Sequence, residues 1–202
     1  MNQFVVTGTD TGIGKTVFSA ALAGMLDARY WKPVQAGLDG PTDSEAVAEL
    51  SGAAIIPESY RLKLPASPHQ SAAEEGIIID ADALIPPPGP LVIEGAGGLM
   101  VPLTRQVLFI DVFARWRLPL VLCARTSLGT INHTLLSVEA IRSRNIPLQG
   151  IAFIGDANLE SESIIIEKAG AKRLGRLPHI APLTPRRLAA VFSKTFHPED
   201  FA

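Results

Sequence analysis

Cysteine is almost absent. The 202 residues include one, Cys123, inside the apolar stretch LPLVLCA, so no disulfide can form within the chain and a thiolate metal cluster is implausible. A reducing compartment, the cytoplasm, is the expectation. An excess of one charge is also lacking: 18 Lys and Arg stand against 20 Asp and Glu, a net charge of −2, with a pI near 6.1. There is no basic footprint for nucleic acid and no acidic tail, which favours work on small molecules. No run reaches the roughly 18 apolar residues of a membrane span. The chain enters a strand almost at once, with no basic segment leading into an apolar one, so no targeting signal and no membrane partner are expected. Internal repeats and low-complexity tracts are missing too.

What is present suffices for one core. Hydrophobic residues make up 47% and charged residues 19%, which suits a single domain over residues 1–202. Short apolar runs alternate with helix-period segments: FVV then 16–28, YWKPV then 43–51, LVIEG, LPLVLCA then 131–144, GIAFIG then 160–169, and KRLGRLP then 185–194. Such alternation reads as βαβ units. Strands apolar at nearly every position, such as LPLVLCA, belong in a parallel sheet covered on both faces. The expected fold class is therefore α/β, a doubly wound, mostly parallel sheet with helices on both faces. The least regular stretch, 55–90, reads as a helix at SPHQSAAEEG followed by a rigid connector at IPPPGP. The closing SKTFHPEDFA reads as short, polar and frayed.

The strand FVV leads into GTDTGIGKT, residues 8–16, and then into a helix-like run. Strand, glycine-rich loop, Lys15-Thr16 and helix follow one another as in a P-loop. Backbone N–H groups and the helix N-terminus face phosphates, the lysine neutralises terminal oxygens, and the hydroxyl ligates magnesium. The strict G-x-x-x-x-G-K-[ST] spacing would put the first glycine at position 9; this chain has Thr9 and places its glycine at Gly8, so the loop is a variant. A chance glycine-rich turn is the plainer reading, and the agreement of strand, loop, Lys-Thr and helix weighs against it.

Downstream, PLVIEGAGG is a buried strand ending in Glu94 and then glycines. A carboxylate there, at the mouth of an open parallel sheet, occupies the place of a Walker B acid and could hold Mg2+ directly or through water. Capping of the following loop is the alternative. Lys32 in YWKPVQAG closes an apolar strand at the same sheet edge, where a snorkelling lysine is also common. Asp43 lies in the capping box Thr42-Asp43-Ser44-Glu45, and spacing alone leaves cap and ligand equally open. In LGTINHT, Gly129 to Asn132 form a turn and helix start, a seat for a carboxylate or an ordinary Asn-capped beginning. His69, His133, His179 and His197 have no metal-ligand spacing.

GTDTGIGKT, KPVQAG, TDSEAV, SPH, IEGAGG and LGTINHT occur in this order over nearly the whole length. In that combination the chain resembles the dethiobiotin synthetases, ATP-dependent enzymes of biotin synthesis. The resemblance implies a homodimeric P-loop protein that takes 7,8-diaminononanoate, carbon dioxide, ATP and Mg2+ to dethiobiotin, ADP and phosphate. It implies nucleotide contacts from Gly12, Ile13, Gly14, Lys15, Thr16 and Val17, from Asp43, and from Glu94, Gly95, Ala96 and Gly97. Leu177, Pro178 and His179 of GRLPHI match a loop that approaches the nucleotide base. Metal contacts fall to Thr16, Asp43 and Glu94. Lys15 and Lys32 are the implied catalytic pair, with Lys32 facing a substrate carbamate. Substrate contacts fall to Thr11, Lys32 and Ala36, and to Gly129 and Asn132 across a subunit interface.

Two positions depart from the family pattern. Ala36 stands where a hydroxyl residue is frequent, so a side-chain hydrogen bond is lost there. In GIAFIGDAN the place of a base-reading asparagine falls at Ile154 or Gly155, leaving adenine specificity open. Two rivals share the loop style. A ParA/MinD-like ATPase switch would carry a second lysine where this chain has Asp10. An amidoligase of the cobyrinic acid diamide synthase type would need a glutaminase cysteine, and Cys123 lies in a strand.

Overall fold

The structure, a computed structural model, describes residues 3–201. The chain runs β1 (Gln3–Gly8), α1 (Lys15–Leu26), β2 (Arg29–Trp31), β3 (Val34–Ala36), α2 (Asp43–Ser51), β4 (Ile55–Ile56), β5 (Tyr60–Leu62) and α3 (Pro68–Glu74). It continues through β6 (Leu91–Gly98), α4 (Phe109–Trp116), β7 (Leu120–Arg125), α5 (Thr130–Ser143), β8 (Leu148–Ile154), α6 (Leu159–Ala169), β9 (Arg173–Leu177) and α7 (Pro185–Phe192). Seven strands form one sheet in the order β4-β2-β6-β1-β7-β8-β9, and every pair in it is parallel.

Alternation along β1 explains the two layers: Phe4 and Val6 enter one apolar cluster and Val5 the other. The first cluster packs β1 against α1, α2 and α7 through Phe18, Val47 and Phe192, and the second packs it against α4, α5 and α6 through Phe113, Ile141 and Ile165. Both faces are covered by helices, which is why these strands tolerate apolar residues at nearly every position. Among the described residues, no helix is long and apolar enough to cross a membrane.

Four stretches differ from the sequence reading. YWKPV is not one strand. Pro33 has no N–H to give a ladder, and its carbonyl instead accepts from Ser59 and Tyr60 N–H at 3.0 and 3.1 Å. The chain thereby leaves the large sheet after Trp31 and enters a separate parallel pair, β3-β5, at Val34, with Lys32 at the crossing. Within 55–90 the structure has β4, β5 and α3, and a connector over 77–90 without helix or strand. The unforeseen α4 is written in Phe, Ile and Val, which favour strands in isolation; its burial of Phe109, Ile110, Val112 and Phe113 overrides that preference.

The C-terminal stretch is not frayed. Phe196 and Phe201 are fully buried, and residues Pro198–Phe201 form a 3-10 turn. The Phe201 ring stands edge-on to Phe4 at 5.5 Å between centroids. Polar letters between the two phenylalanines hid an anchor in the apolar cluster on the Phe4 side of β1.

Candidate active site

The site lies at the carboxyl ends of β1, β2 and β6, beside the point where the chain crosses β1 to reach β7, the place where open parallel sheets leave a crevice. The loop after β1 folds tightly over it. Gly8 is packed against this loop: a Cβ there would lie 2.4 Å from Ile13 Cδ1, so the Ile13 side chain would have to shift. Gly14 begins α1 with φ of 98°, a left-handed conformation, and no side chain caps the helix. The first amides of α1 are therefore left for a ligand. α2, α6 and α7, by contrast, are capped by the side chains of Thr42, Asn158 and Thr184.

Lys15 is buried and donates to the Asp10 carbonyl at 2.8 Å. Burial pushes its pKa below the ordinary lysine value, although the Glu94 charge acts the other way. The Asp10 carboxylate is paired with Arg125 at the end of β7.

Four side chains from separate elements meet beside this loop. Lys32 Nζ lies 2.6 Å from Asp43 Oδ2 and 3.0 Å from Glu94 Oε1, and it also donates to the Gly95 carbonyl at 3.3 Å. Burial alone would lower the Lys32 pKa; the two carboxylates outweigh it and hold the group above its ordinary value. Burial would likewise raise Asp43, and Lys32 and Thr16 bring it below the ordinary carboxylate value. Thr16 Oγ1 lies 2.8 Å from Asp43 Oδ1 and 3.0 Å from Glu94 Oε1. A hydroxyl carries one proton and cannot satisfy both acceptors. Three hard oxygen donors, Thr16 Oγ1, Asp43 Oδ1 and Glu94 Oε1, thus converge within hydrogen-bond reach of one another, a donor set that fits a small divalent cation. Among the described residues no group of three His, Cys, Asp or Glu is placed to hold a metal, so any ion here would need ligands beyond carboxylates.

Asp43 is both things the sequence left open. The capping box is formed, with Glu45 N–H donating to Thr42 Oγ1 and Thr42 N–H to Glu45 Oε2, and the first-turn acid still points at Lys32.

Hollows open on either side of the loop. One of about 390 Å³ is lined by Thr11, Lys32, Ala36, Asp43, Ala96 and Gly97, with Gln35 and Ser67 on its far wall. The other side of the loop has adjoining cavities of about 420 and 250 Å³ that share Gly12, Ile13, Ile154 and His179. Gly14, Val17, Leu177 and Pro178 line the smaller of these. Of the residues expected to contact nucleotide and substrate, Thr11, Lys32, Ala36, Asp43, Ala96 and Gly97 face one side of the loop, and Gly12, Ile13, Gly14, Val17, Leu177, Pro178 and His179 face the other.

Gly129 and Asn132 are not gathered with them. They line none of these cavities, and Asn132 is exposed. The cap of α5 is Gly129, left-handed with φ of 93° and without a side-chain cap, rather than Asn132.

Sequence reasoning missed Tyr30, Arg125 and Asn158. Tyr30 is fully buried and donates to Glu94 Oε2 at 3.0 Å; burial and the Glu94 charge push its pKa well above the ordinary tyrosine value. Asn158 lines the larger cavity, but its amide is occupied: Nδ2 donates to the Thr126 carbonyl and Oδ1 accepts from Ser161 N–H. The signal for it was the helix start Asn-Leu-Glu-Ser.

A protein-family description, AAA domain, matches residues 2–187. An ATP-dependent dethiobiotin synthetase of Rhodopseudomonas palustris (strain BisB5) is 65% identical over 202 residues, covering 98% of this chain and 95% of that one. The chain belongs to the dethiobiotin synthetase family. A second member, from Sphingopyxis alaskensis, is 57% identical over the full length of both chains. A ParA family ATPase from Chlorobium tepidum superposes with a TM-score of 0.50 at 13% identity, over 89% of this chain and 84% of that one. That likeness concerns the P-loop fold alone. In this dethiobiotin synthetase family member, the acid at position 10 is locked to Arg125. Cys123 is fully buried, and burial pushes its thiol pKa far up, which leaves no nucleophile for a glutaminase.

Proposed function

We propose that this chain is an ATP-dependent cyclo-ligase that joins 7,8-diaminononanoate and carbon dioxide into dethiobiotin, with release of ADP and phosphate. The observation that carries the reading is the convergence of Lys15, Thr16, Lys32, Asp43 and Glu94 beside a loop with hollows on either side.

The nucleotide's phosphates rest on the uncapped start of α1, with its base toward Leu177, Pro178 and His179. The diamine occupies the hollow beside Thr11, Lys32 and Ala36. One substrate amine attacks carbon dioxide and loses a proton, giving a carbamate that Lys32 faces. A carbamate oxygen then attacks the γ-phosphorus as the bond to ADP breaks, with Lys15 and the loop amides countering charge on the phosphoryl oxygens. The second amine attacks the carbonyl carbon of this mixed anhydride, expels phosphate and loses its proton, closing the cyclic urea. Thr16, Asp43 and Glu94 would hold Mg2+, which supplies positive charge against the phosphate oxygens. No group in this scheme must act as a strong base.

The proposal extends to a cytoplasmic homodimer. The uncapped start of α5 at Gly129 resembles that of α1 in its left-handed glycine, and it would receive the distant substrate carboxylate from a neighbouring subunit, together with Asn132. The test is direct: purified protein is incubated with MgATP, bicarbonate and the diamine, and dethiobiotin is sought by mass spectrometry. ATP loss without that product would overturn the reading.

A further inference from the structure

Tyr30 takes no part in that chemistry, yet its hydroxyl is directed into the site. It lies in β2, opposite Val92 of β6, in the apolar cluster of Phe18, Leu22 and Val47. A phenol hydroxyl buried in such surroundings is costly unless it finds a partner. Its partner is Glu94 Oε2, at 3.0 Å. The hydroxyl donates and the carboxylate oxygen accepts.

This divides the carboxylate. Oε1 faces Thr16 Oγ1 and Lys32 Nζ, each at 3.0 Å, while Oε2 is tied back to the strand behind it. The last torsion of a glutamate is broad and soft, so a carboxylate without such a tie could rotate and offer both oxygens to one ion. A small octahedral ion takes carboxylates through one oxygen, and a larger one accepts both. We propose that Tyr30 is a positioning residue that confines Glu94 to a single ligating oxygen and thereby sets the preference of the site for Mg2+ over Ca2+. The inference rests on the reading of Thr16, Asp43 and Glu94 as ligands of the divalent ion.

The test is calorimetric titration of Mg2+ and of Ca2+ into the protein saturated with a non-hydrolysable ATP analogue. Tyr30→Phe removes one oxygen and keeps the ring in its apolar cluster, and a thermal melt checks that the fold is kept. The expected result is about a tenfold loss in Mg2+ affinity, the range seen when an outer partner of a ligand is removed, with a smaller loss or a gain for Ca2+. In a Glu94→Gln background the same substitution should change neither affinity. If Glu94→Gln and Asp43→Asn weaken Mg2+ binding while Tyr30→Phe leaves the Mg2+/Ca2+ ratio at the parent value, the inference fails and the metal reading stands. If Glu94→Gln and Asp43→Asn leave Mg2+ binding unchanged, the metal reading fails and the inference with it.

Discussion

The ammonium of Lys32 lies 2.6 Å from Asp43 Oδ2, joining the end of β2 to the first turn of α2. With Glu94 on its other side, Lys32 balances one of two carboxylates, and Lys15 supplies the second positive charge nearby. The cluster sets two basic side chains beside two acidic ones. Its parts cannot be removed singly without leaving a buried charge uncompensated.

Lys32→Met should therefore be costly twice over. Loss of the cation from a buried pair destabilises by about 3 kcal/mol, read by urea unfolding, and turnover should fall by about 100-fold or more. Nucleotide binding by calorimetry should change little, because Lys32 lies outside the loop that holds phosphates. Lys15→Ala should instead weaken nucleotide binding as well as abolish turnover. A Lys32→Met enzyme with the parent rate would remove the assigned carbamate partner.

The ion pair has a defined pH window. Lys32 is raised above 10.5, so its contribution is complete below that pH and is lost as pH climbs through the raised value. Asp43 is lowered below 3.8, so its contribution is complete above that pH and is lost as pH falls through the lowered value. The stability difference between the parent and Lys32→Met should shrink above pH 10.5, and should shrink in acid as Asp43, raised by burial once Lys32 is gone, takes up a proton in the variant before it does in the parent. A difference that grew as the solution was acidified would contradict a pair made of charged Lys32 and ionised Asp43.

Base discrimination should be weak. Ile154 occupies the cavity wall, and the amide of Asn158 is used in capping α6 and holding Thr126. A site that makes no base-specific hydrogen bond separates analogues only modestly. CTP and GTP should support turnover with kcat/KM within about tenfold of ATP, whereas a site that hydrogen-bonds the base would reject them by about 10⁴. The competing rates settle the matter.

Phe201→Ala should cost about 3 kcal/mol, the scale for emptying a filled aromatic position, and lower the melting temperature without changing KM for the diamine. Phe201 sits in the apolar cluster on one face of β1, against Phe4. A melting temperature equal to that of the parent would mean that the C-terminal turn does not support the sheet.

The sequence displayed the loop, Lys15-Thr16 and Glu94 because each is a local pattern: glycines at turns, a lysine before a helix, an acid at a strand end. Tyr30 was not legible. Its role depends on β2 pairing with β6, which brings Glu94 to it from 64 positions away in the chain, and on which face of β2 it occupies. Arg125 likewise meets Asp10 across 115 positions. The break at Pro33 was readable, since proline cannot continue a ladder, yet YWKPV looked continuous because apolar letters continue past it. Phe196 and Phe201 were masked by polar neighbours, as burial of isolated aromatics leaves no periodic trace.

The helix that starts at Gly14 is completed by whatever occupies its open end. Its first amides have no side-chain cap, and the buried ammonium of Lys15 is held by a single carbonyl. Tetrahedral oxyanions in ordinary buffers, sulfate and inorganic phosphate among them, should consequently raise the melting temperature and compete with nucleotide. Assays in such buffers would understate affinity, and crystals grown from them would show the anion at that turn.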